Sequence, residues 1–402
     1  MTYVMVLHTI NKFSQIYIIV LPKRLMTFRI IHQDKKTKAR IGILKTKKGN
    51  IETPFFMPVA TKGSVKMLSS DEITELGANA IISNALIISL RDGAKIISKH
   101  GGIGKFMNYP GIIFTDSGGF QMYSKSIYLK SNNSGVFFKN PYSGEKIFMT
   151  PEKNMEIQLK LNSDVAMCLD SMPLYEHTKK EIEESVIKTS LWAEKCKIAH
   201  NELQKNFDKN KKQLLFGIIQ GGIYKDLREI SANQLLKLNF DGYAIGGLGL
   251  GETEKEEFSV VKQLKKLIPE NKPVYMMGIG EPVEILKCIA EGIDIFDSRM
   301  PTQNARRGTL FTSKGKLKIF RSEYKFDKTP LDKKCECFVC KNYSKSFIRF
   351  QMIHDEITGK KLATFHNLYF LQNLIKRAKQ KIRMGKFREF LRDVEKKYNA
   401  NK

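Results

Sequence analysis

The densest set of donor atoms in the chain is Cys335-x-Cys337-x-x-Cys340, three thiols within six positions. Thiolates so spaced suit a borderline-soft cation, and Zn2+ in structural sites takes four nitrogen or sulfur ligands tetrahedrally. A metal-free turn would leave three neighbouring thiols open to oxidation. The fourth ligand must come from elsewhere: His354 and His366 both lie downstream, and spacing does not choose between them. Three cysteines and a histidine leave no open coordination position, so the predicted zinc, one per chain, is structural rather than catalytic.

Two further segments offer different chemistry. In "TDSGGFQ" at 115–121, Asp116 and Ser117 close an apolar run, Gly118 and Gly119 permit close approach of a ligand to backbone, and Phe120 supplies a flat surface on which a nucleobase can stack. In "GIDIFDSRMPTQNARRG" at 292–308, Asp297 closes another apolar run and is followed by a basic loop with Arg299, Arg306 and Arg307. A carboxylate beside arginines suits a phosphate-bearing substrate. Taken singly, each segment also has an ordinary reading as a glycine turn, a helix cap or a solvated loop.

Something must bring these groups together. Apolar runs recur at 54–60, 80–84, 112–118, 165–170, 214–221, 242–248, 274–280 and 293–298. They are continuous rather than alternating, which is how strands buried on both faces read. Between them lie helix signals: Ser69 with Glu72 and Thr178 with Glu181 at capping-box spacing, and Thr150 before Pro151. Eight strand–helix units predict a (β/α)8 TIM barrel, with an open doubly wound sheet as the alternative. Several runs end in polar residues or glycines, namely Asn84, Asp116, Asp170, Gln220, Gly246, Gly247 and Asp297. In a barrel such strand ends share one mouth, where active sites lie.

The predicted organisation has four parts. Residues 1–25 form a disordered extension or an over-long start, residues 26–300 the barrel, and residues 301–370 a basic loop with an inserted zinc-binding subdomain; residues 371–402 form a basic C-terminal helix completing the barrel. The apolar stretch at 16–21 is too short for a membrane span of roughly 20 residues and lacks a small-residue cleavage site. Cys168, Cys196 and Cys288 are scattered, so six cysteines in 402 residues read as thiols of a reducing, cytoplasmic protein rather than a disulfide framework. The 68 lysines and arginines against 41 acidic residues, net +27, fit a polyanionic partner, although lysine also fills ordinary solvated helix faces.

In order along the chain, "FTDSGGFQ", "GIIQGG", "GYAIGGLGLGE", "MGIGEP", "FDSRMPTQNARRG" and the Cys/Cys/Cys…His set resemble the tRNA-guanine transglycosylases of bacterial type, the queuine/prequeuosine tRNA-ribosyltransferase family, from about residue 28 to about 390. The resemblance implies Asp297 as nucleophile and Asp116 as general acid/base. It implies Ser117, Asp170, Gln220 and Gly247 as hydrogen-bonding partners of the purine edge, the Leu248 carbonyl facing the 7-substituent, and Phe120 and Met277 sandwiching the base. The metal ligands become Cys335, Cys337, Cys340 and His366, and the tRNA contacts Gln303, Arg306 and Arg307. The activity implied is exchange of the wobble guanine of Asp, Asn, His and Tyr tRNAs for 7-aminomethyl-7-deazaguanine, through a covalent aspartyl-ribosyl intermediate, in queuosine biosynthesis. The partners implied are a tRNA anticodon loop, a 7-deazaguanine base and a second copy of the chain in a homodimer.

The sequence departs from the family pattern at Ser171 and Met172, where bacterial members usually carry Glu-Cys, at Ser298 in place of cysteine, and at Gln303 in place of an arginine. Within the family the rivals are a queuine-inserting enzyme, against which the bulky Leu250 counts, and an archaeal D-loop enzyme, which carries extra C-terminal domains. Outside it stand a non-catalytic tRNA-binding subunit, which would not need both Asp116 and Asp297, and a zinc hydrolase, which would need an open metal site.

Overall fold

Eight short parallel strands account for the eight apolar runs. They are β1 (Phe55–Pro58), β2 (Ala80–Asn84), β3 (Ile112–Asp116), β4 (Val165–Met167), β5 (Leu214–Ile219), β6 (Gly242–Ile245), β7 (Val274–Met276) and β8 (Ile295–Ser298). Each pairs with its neighbours in sequence from β2 to β8, and β8 pairs with β1. A bridge from Val59 to Ile82, with the Ala60 N–H donating to the Ile82 carbonyl at 2.7 Å, completes the circuit between β1 and β2. The architecture is a (β/α)8 barrel, and the open-sheet alternative falls. This computed structural model describes residues 27–172 and 177–400, with a two-residue strand pair (Met5–Val6 against Tyr17–Ile18) before them; the expectation for residues 1–25 otherwise lies outside the described residues.

Alternation along the strands separates two cores. Phe55, Met57, Ile82, Phe114, Met167, Phe216, Ile218, Tyr275 and Ile295 point inward and fill the barrel. Phe114 sits at the centre, edge-on to Phe55, Phe216 and Tyr275. Ile81, Ile113, Ala166, Leu215, Tyr243, Val274 and Phe296 point outward and pack with the helical shell. With both faces buried, the strands carry no polar alternation. The helices begin where the caps require: Ser69 and Thr178 each close a capping box, and Thr150 caps the helix that Pro151 opens.

An antiparallel sheet of Phe28–Gln33, Arg40–Thr46 and Gly49–Glu52 covers the N-terminal end of the barrel. Arg40 reaches the carboxylate of Asp294, just before β8, with bonds of 3.0 and 2.6 Å. The guanidinium also donates to the carbonyls of Glu270 and Lys272, while Asp294 accepts from the Val274 N–H. Both partners are buried and amply hydrogen-bonded, the condition under which an ion pair out of water is tolerated. A second antiparallel sheet, Tyr128–Asn132, Gly135–Lys139 and Lys146–Met149, interrupts the barrel after β3; the apolar runs and caps of the sequence do not announce it.

After β8 the segment expected as a basic loop opens instead as a helix, Met300–Arg306, with Pro301 in its first turn. The hairpin Thr309–Thr312/Gly315–Lys318 and the cysteine cluster follow. The helix Ile357–Arg383 runs unbroken across position 370, the expected domain boundary, packs on Met300–Arg306 and β1, and is followed by Phe387–Asn399. Among the described residues no helix is long and apolar enough to cross a membrane.

Candidate active site and metal centre

The inward-facing register of the strands, continued to their C-terminal ends, delivers the polar groups of the mouth. From Ile112 and Phe114 it reaches Asp116, from Phe216 and Ile218 it reaches Gln220, and from Tyr275 it reaches Met277. From Ile295 it reaches Asp297. Asn84 follows from Ala80 and Ile82 in the same way. Asp170 lies three residues past the end of β4.

Asp116 accepts from the Asn84 amide at 3.1 Å and from the Gly118 N–H at 3.2 Å, both on Oδ2. Burial, then the charges of Asp170 and Asp297, push its pKa up to about 7. Asp170 accepts from the Ser117 hydroxyl at 3.4 Å and from the Gln220 amide at 2.7 Å. Burial raises it to about 6 against the pull of those two bonds. Asp297 takes the Tyr275 hydroxyl at 2.6 Å and the Gly278 N–H at 3.0 Å, both on Oδ1, and burial raises its pKa. Three carboxyls thus share one mouth, all raised by burial, and Asp116 further by the charges of the other two.

The remaining candidates surround this cluster. Gly119 comes so close to Asp170 that a Cβ there would lie 2.3 Å from its Oδ1, so only glycine fits. Phe120 is 39% exposed and Met277 is half-buried, leaving both side chains accessible. Gly247 has φ +68° and a Cβ there would meet Gln220 Oε1 at 2.4 Å. That buried Oε1 has no hydrogen-bond partner among the described residues. Leu248 is buried directly after Gly247. Capping the C-terminal end of the helix beyond Asp297, Arg307 is exposed and pairs with Gln303 when the amide presents its oxygen, at 3.0 and 3.1 Å. Arg306 is partly buried, with one guanidinium nitrogen unpartnered among the described residues.

Tyr275 escapes the sequence motifs, and Gln121, the last residue of "TDSGGFQ", has no role that the motif alone assigns. Tyr275 lies in an apolar strand two positions before Met277 on the inward face, so a strand-parity count was the signal available. Gln121 accepts from the same Asn84 amide that bonds Asp116, at 2.8 Å, from the short helix Gly119–Met122. The departure at Ser171 has a local account. Its N–H is held by Thr189 and its hydroxyl by Tyr123 and Ser185, tying the chain after Asp170 to the helix Lys179–Leu203.

Outside the mouth, one ligand atom each from Cys335, Cys337, Cys340 and His366, the last on the helix that packs against Met300–Arg306, gather within 4.8 Å of one another. The His366 Nδ1 lies 3.8, 3.5 and 3.4 Å from the three sulfurs. A tetrahedral ion with Zn–S about 2.3 Å and Zn–N about 2.0–2.1 Å separates S from N by roughly 3.5 Å, so the donor set fits. The His366 Nε2 donates to the Phe311 carbonyl at 2.8 Å, which leaves Nδ1 as the ligand atom. His354 is exposed and packs on Phe350 instead, so the choice that spacing left open falls to His366.

Fold and mouth together define a class: a (β/α)8-barrel enzyme with converging carboxyls at the C-terminal strand ends and a Cys3His side domain able to bind a metal. Comparison with known proteins narrows it. The queuine tRNA-ribosyltransferase family profile matches residues 34–400. A queuine tRNA-ribosyltransferase of Thermoanaerobacter sp. (strain X514) is 45% identical over 371 residues, 92% of this chain and 97% of the relative. Those of Caldanaerobacter subterraneus subsp. tengcongensis and Buchnera aphidicola subsp. Schizaphis graminum are each 44% identical, covering 93% and 94% of this chain and 98% and 100% of the relatives. The chain belongs to the queuine tRNA-ribosyltransferase family, the tRNA-guanine transglycosylases.

Proposed function

We propose that the protein exchanges the wobble guanine of the Asp, Asn, His and Tyr tRNAs for 7-aminomethyl-7-deazaguanine by double displacement at the ribose C1′. The observation that carries this reading is the asymmetric holding of Asp297: both hydrogen bonds fall on Oδ1, leaving Oδ2 to attack. Attack on C1′ forms an aspartyl-ribosyl ester and releases guanine; attack by the incoming base on the same carbon restores Asp297, with net retention. The departing purine needs a proton and the incoming base must lose one. Asp116, poised near pH 7, supplies and recovers it.

In this reading Asp170 accepts from the guanine N1–H and amino group, and Ser117 steadies it. The Gln220 amide and the Gly247 N–H address O6, the Leu248 carbonyl faces the 7-substituent, and Phe120 and Met277 sandwich the ring. Arg306, Arg307 and Gln303 meet the anticodon-loop phosphates. One zinc ion, held by Cys335, Cys337, Cys340 and His366, is structural. We place the enzyme in the cytoplasm as a homodimer. The dimer is supported by exposed apolar side chains near the metal domain, among them Phe326, Phe350 and Ile357. The test is to supply labelled guanine, 7-aminomethyl-7-deazaguanine and queuine separately with unmodified tRNA. Incorporation of the first two is expected; incorporation of queuine in preference would favour the rival within the family, and incorporation of none would remove the proposal.

A further inference from the structure

β4 is only three residues long, and its two sides end differently. Toward β5 the ladder runs on through Met167, paired with Phe216. Toward β3 it stops at Ala166, paired with Thr115. The strands part there, one residue before Asp116 and four before Asp170, and the gap becomes the cleft between those carboxyls. Met167 would be left with an unpaired N–H and carbonyl in a dry interior, which is costly.

A side chain fills the vacancy. Gln158, on the helix Pro151–Lys160, accepts from the Met167 N–H at 3.1 Å and donates to the Met167 carbonyl at 2.8 Å, as a strand neighbour would. The same Oε1 accepts from the Thr115 hydroxyl at 2.8 Å, so one amide grips both parting strands. One turn earlier, Asn154 donates to the Ser117 carbonyl at 2.8 Å and accepts from Gln158 at 2.7 Å. Thr115, Ser117, Asn154 and Gln158 are all fully buried. The network continues downward through Ser163 to Gln213.

We propose that Asn154 and Gln158 are positioning residues for base recognition, holding Ser117 and the strand end before Asp170 apart at the width of a purine edge. Neither reaches the mouth, so both act through backbone they fix. Displacing Ser117 loosens its bond to Asp170 and shifts the Asp116–Gly119 turn; misplacing recognition groups by about an ångström costs far more in binding and rate than in stability.

The inference rests on the proposed base exchange, and the test separates the two. Asn154→Asp keeps the shape but turns the donor toward Ser117 into an acceptor; Asn154→Ala provides a second variant without that repulsion. Gln213→Ala perturbs the same network away from Ser117, where Gln213 donates to the Gln158 and Ser163 carbonyls at 3.1 and 3.0 Å. Guanine affinity by calorimetry, tRNA KM, kcat, melting temperature and amide hydrogen exchange over residues 115–122 are compared. Expected for both Asn154 variants is a loss of guanine affinity of roughly tenfold or more, with faster exchange over 115–122 and tRNA KM little changed. Gln213→Ala should lower the melting temperature similarly without that loss. Equal affinity losses at equal destabilisation would overturn the assignment and leave a merely structural network. If the wild-type protein bound no guanine, the base-exchange reading would fall. Exchange over 115–122 would still decide the positioning claim, and no change in the Asn154 variants would overturn it.

Discussion

Asp170 is buried, yet two donors keep part of its hydrogen-bonding capacity engaged while burial lifts it to about 6. To accept from a guanine N1–H and amino group it must be ionised. Below its pKa it protonates and becomes a donor facing donors. Guanine affinity is therefore expected to fall on the acid side with a midpoint near pH 6, measured by calorimetry across pH, and Asp170→Asn should bind weakly with no such limb. A flat profile between about pH 5 and 8 would count against the role. Asp116 carries a stability consequence of opposite sign to the usual salt-bridged carboxylate. Its folded pKa, about 7, lies above the ordinary value of 3.8. From about pH 4 upward the unfolded state ionises while the folded state resists, so this group's contribution to stability declines until about pH 7 and is then constant. Asp116→Asn should stabilise the free protein at neutral pH by on the order of 2 kcal/mol, allowing for screening at the open mouth, and the gain should vanish below about pH 4. Denaturant melts at the two pH values check this.

The elements decide which residues meet. Eight strands and the three helix caps were legible in sequence because double-sided burial writes continuous apolar runs and capping chemistry is local. The sheet from Tyr128 to Met149 was not, since "YLKSN" and "GVFFK" mix exposed lysines with apolar residues that pack only in three dimensions. At the mouth, Asp116 and Asp297 could be read as strand-end carboxylates, whereas Tyr275, Asn154 and Gln158 act through register and packing that spacing does not encode. The Cys3His centre was legible as three thiols, but His366 could be told from His354 only by family likeness and then by structure. That centre fastens the chain after the hairpin to the helix Ile357–Arg383, which in turn packs on the barrel. Loss of one ligand should therefore spread. Cys337→Ser is expected to lower the melting temperature and promote aggregation, and metal analysis of the wild-type protein should find about one zinc per chain. A stable, active, metal-free protein would contradict the structural role.

For the whole molecule, a net charge of +27 suits a polyanionic partner, and in the proposed function Arg306 and Arg307, at the end of the helix beyond Asp297, are its local target. Arg306→Ala should weaken tRNA binding while leaving guanine affinity nearly unchanged. Removing one phosphate-binding side chain should flatten the log–log salt dependence by roughly 0.7–0.9. Unchanged tRNA affinity and slope would remove this helix from the tRNA surface. The central claim is chemical, and it joins fold, mouth and charge: the barrel brings tRNA ribose to the free oxygen of Asp297. It is tested most directly by trapping the protein with tRNA and mapping the adduct by mass spectrometry after denaturing electrophoresis. The expected result is a ribosyl ester on Asp297, absent in Asp297→Asn although non-covalent tRNA binding persists. An adduct on Asp116, or one that still forms in Asp297→Asn, would contradict it.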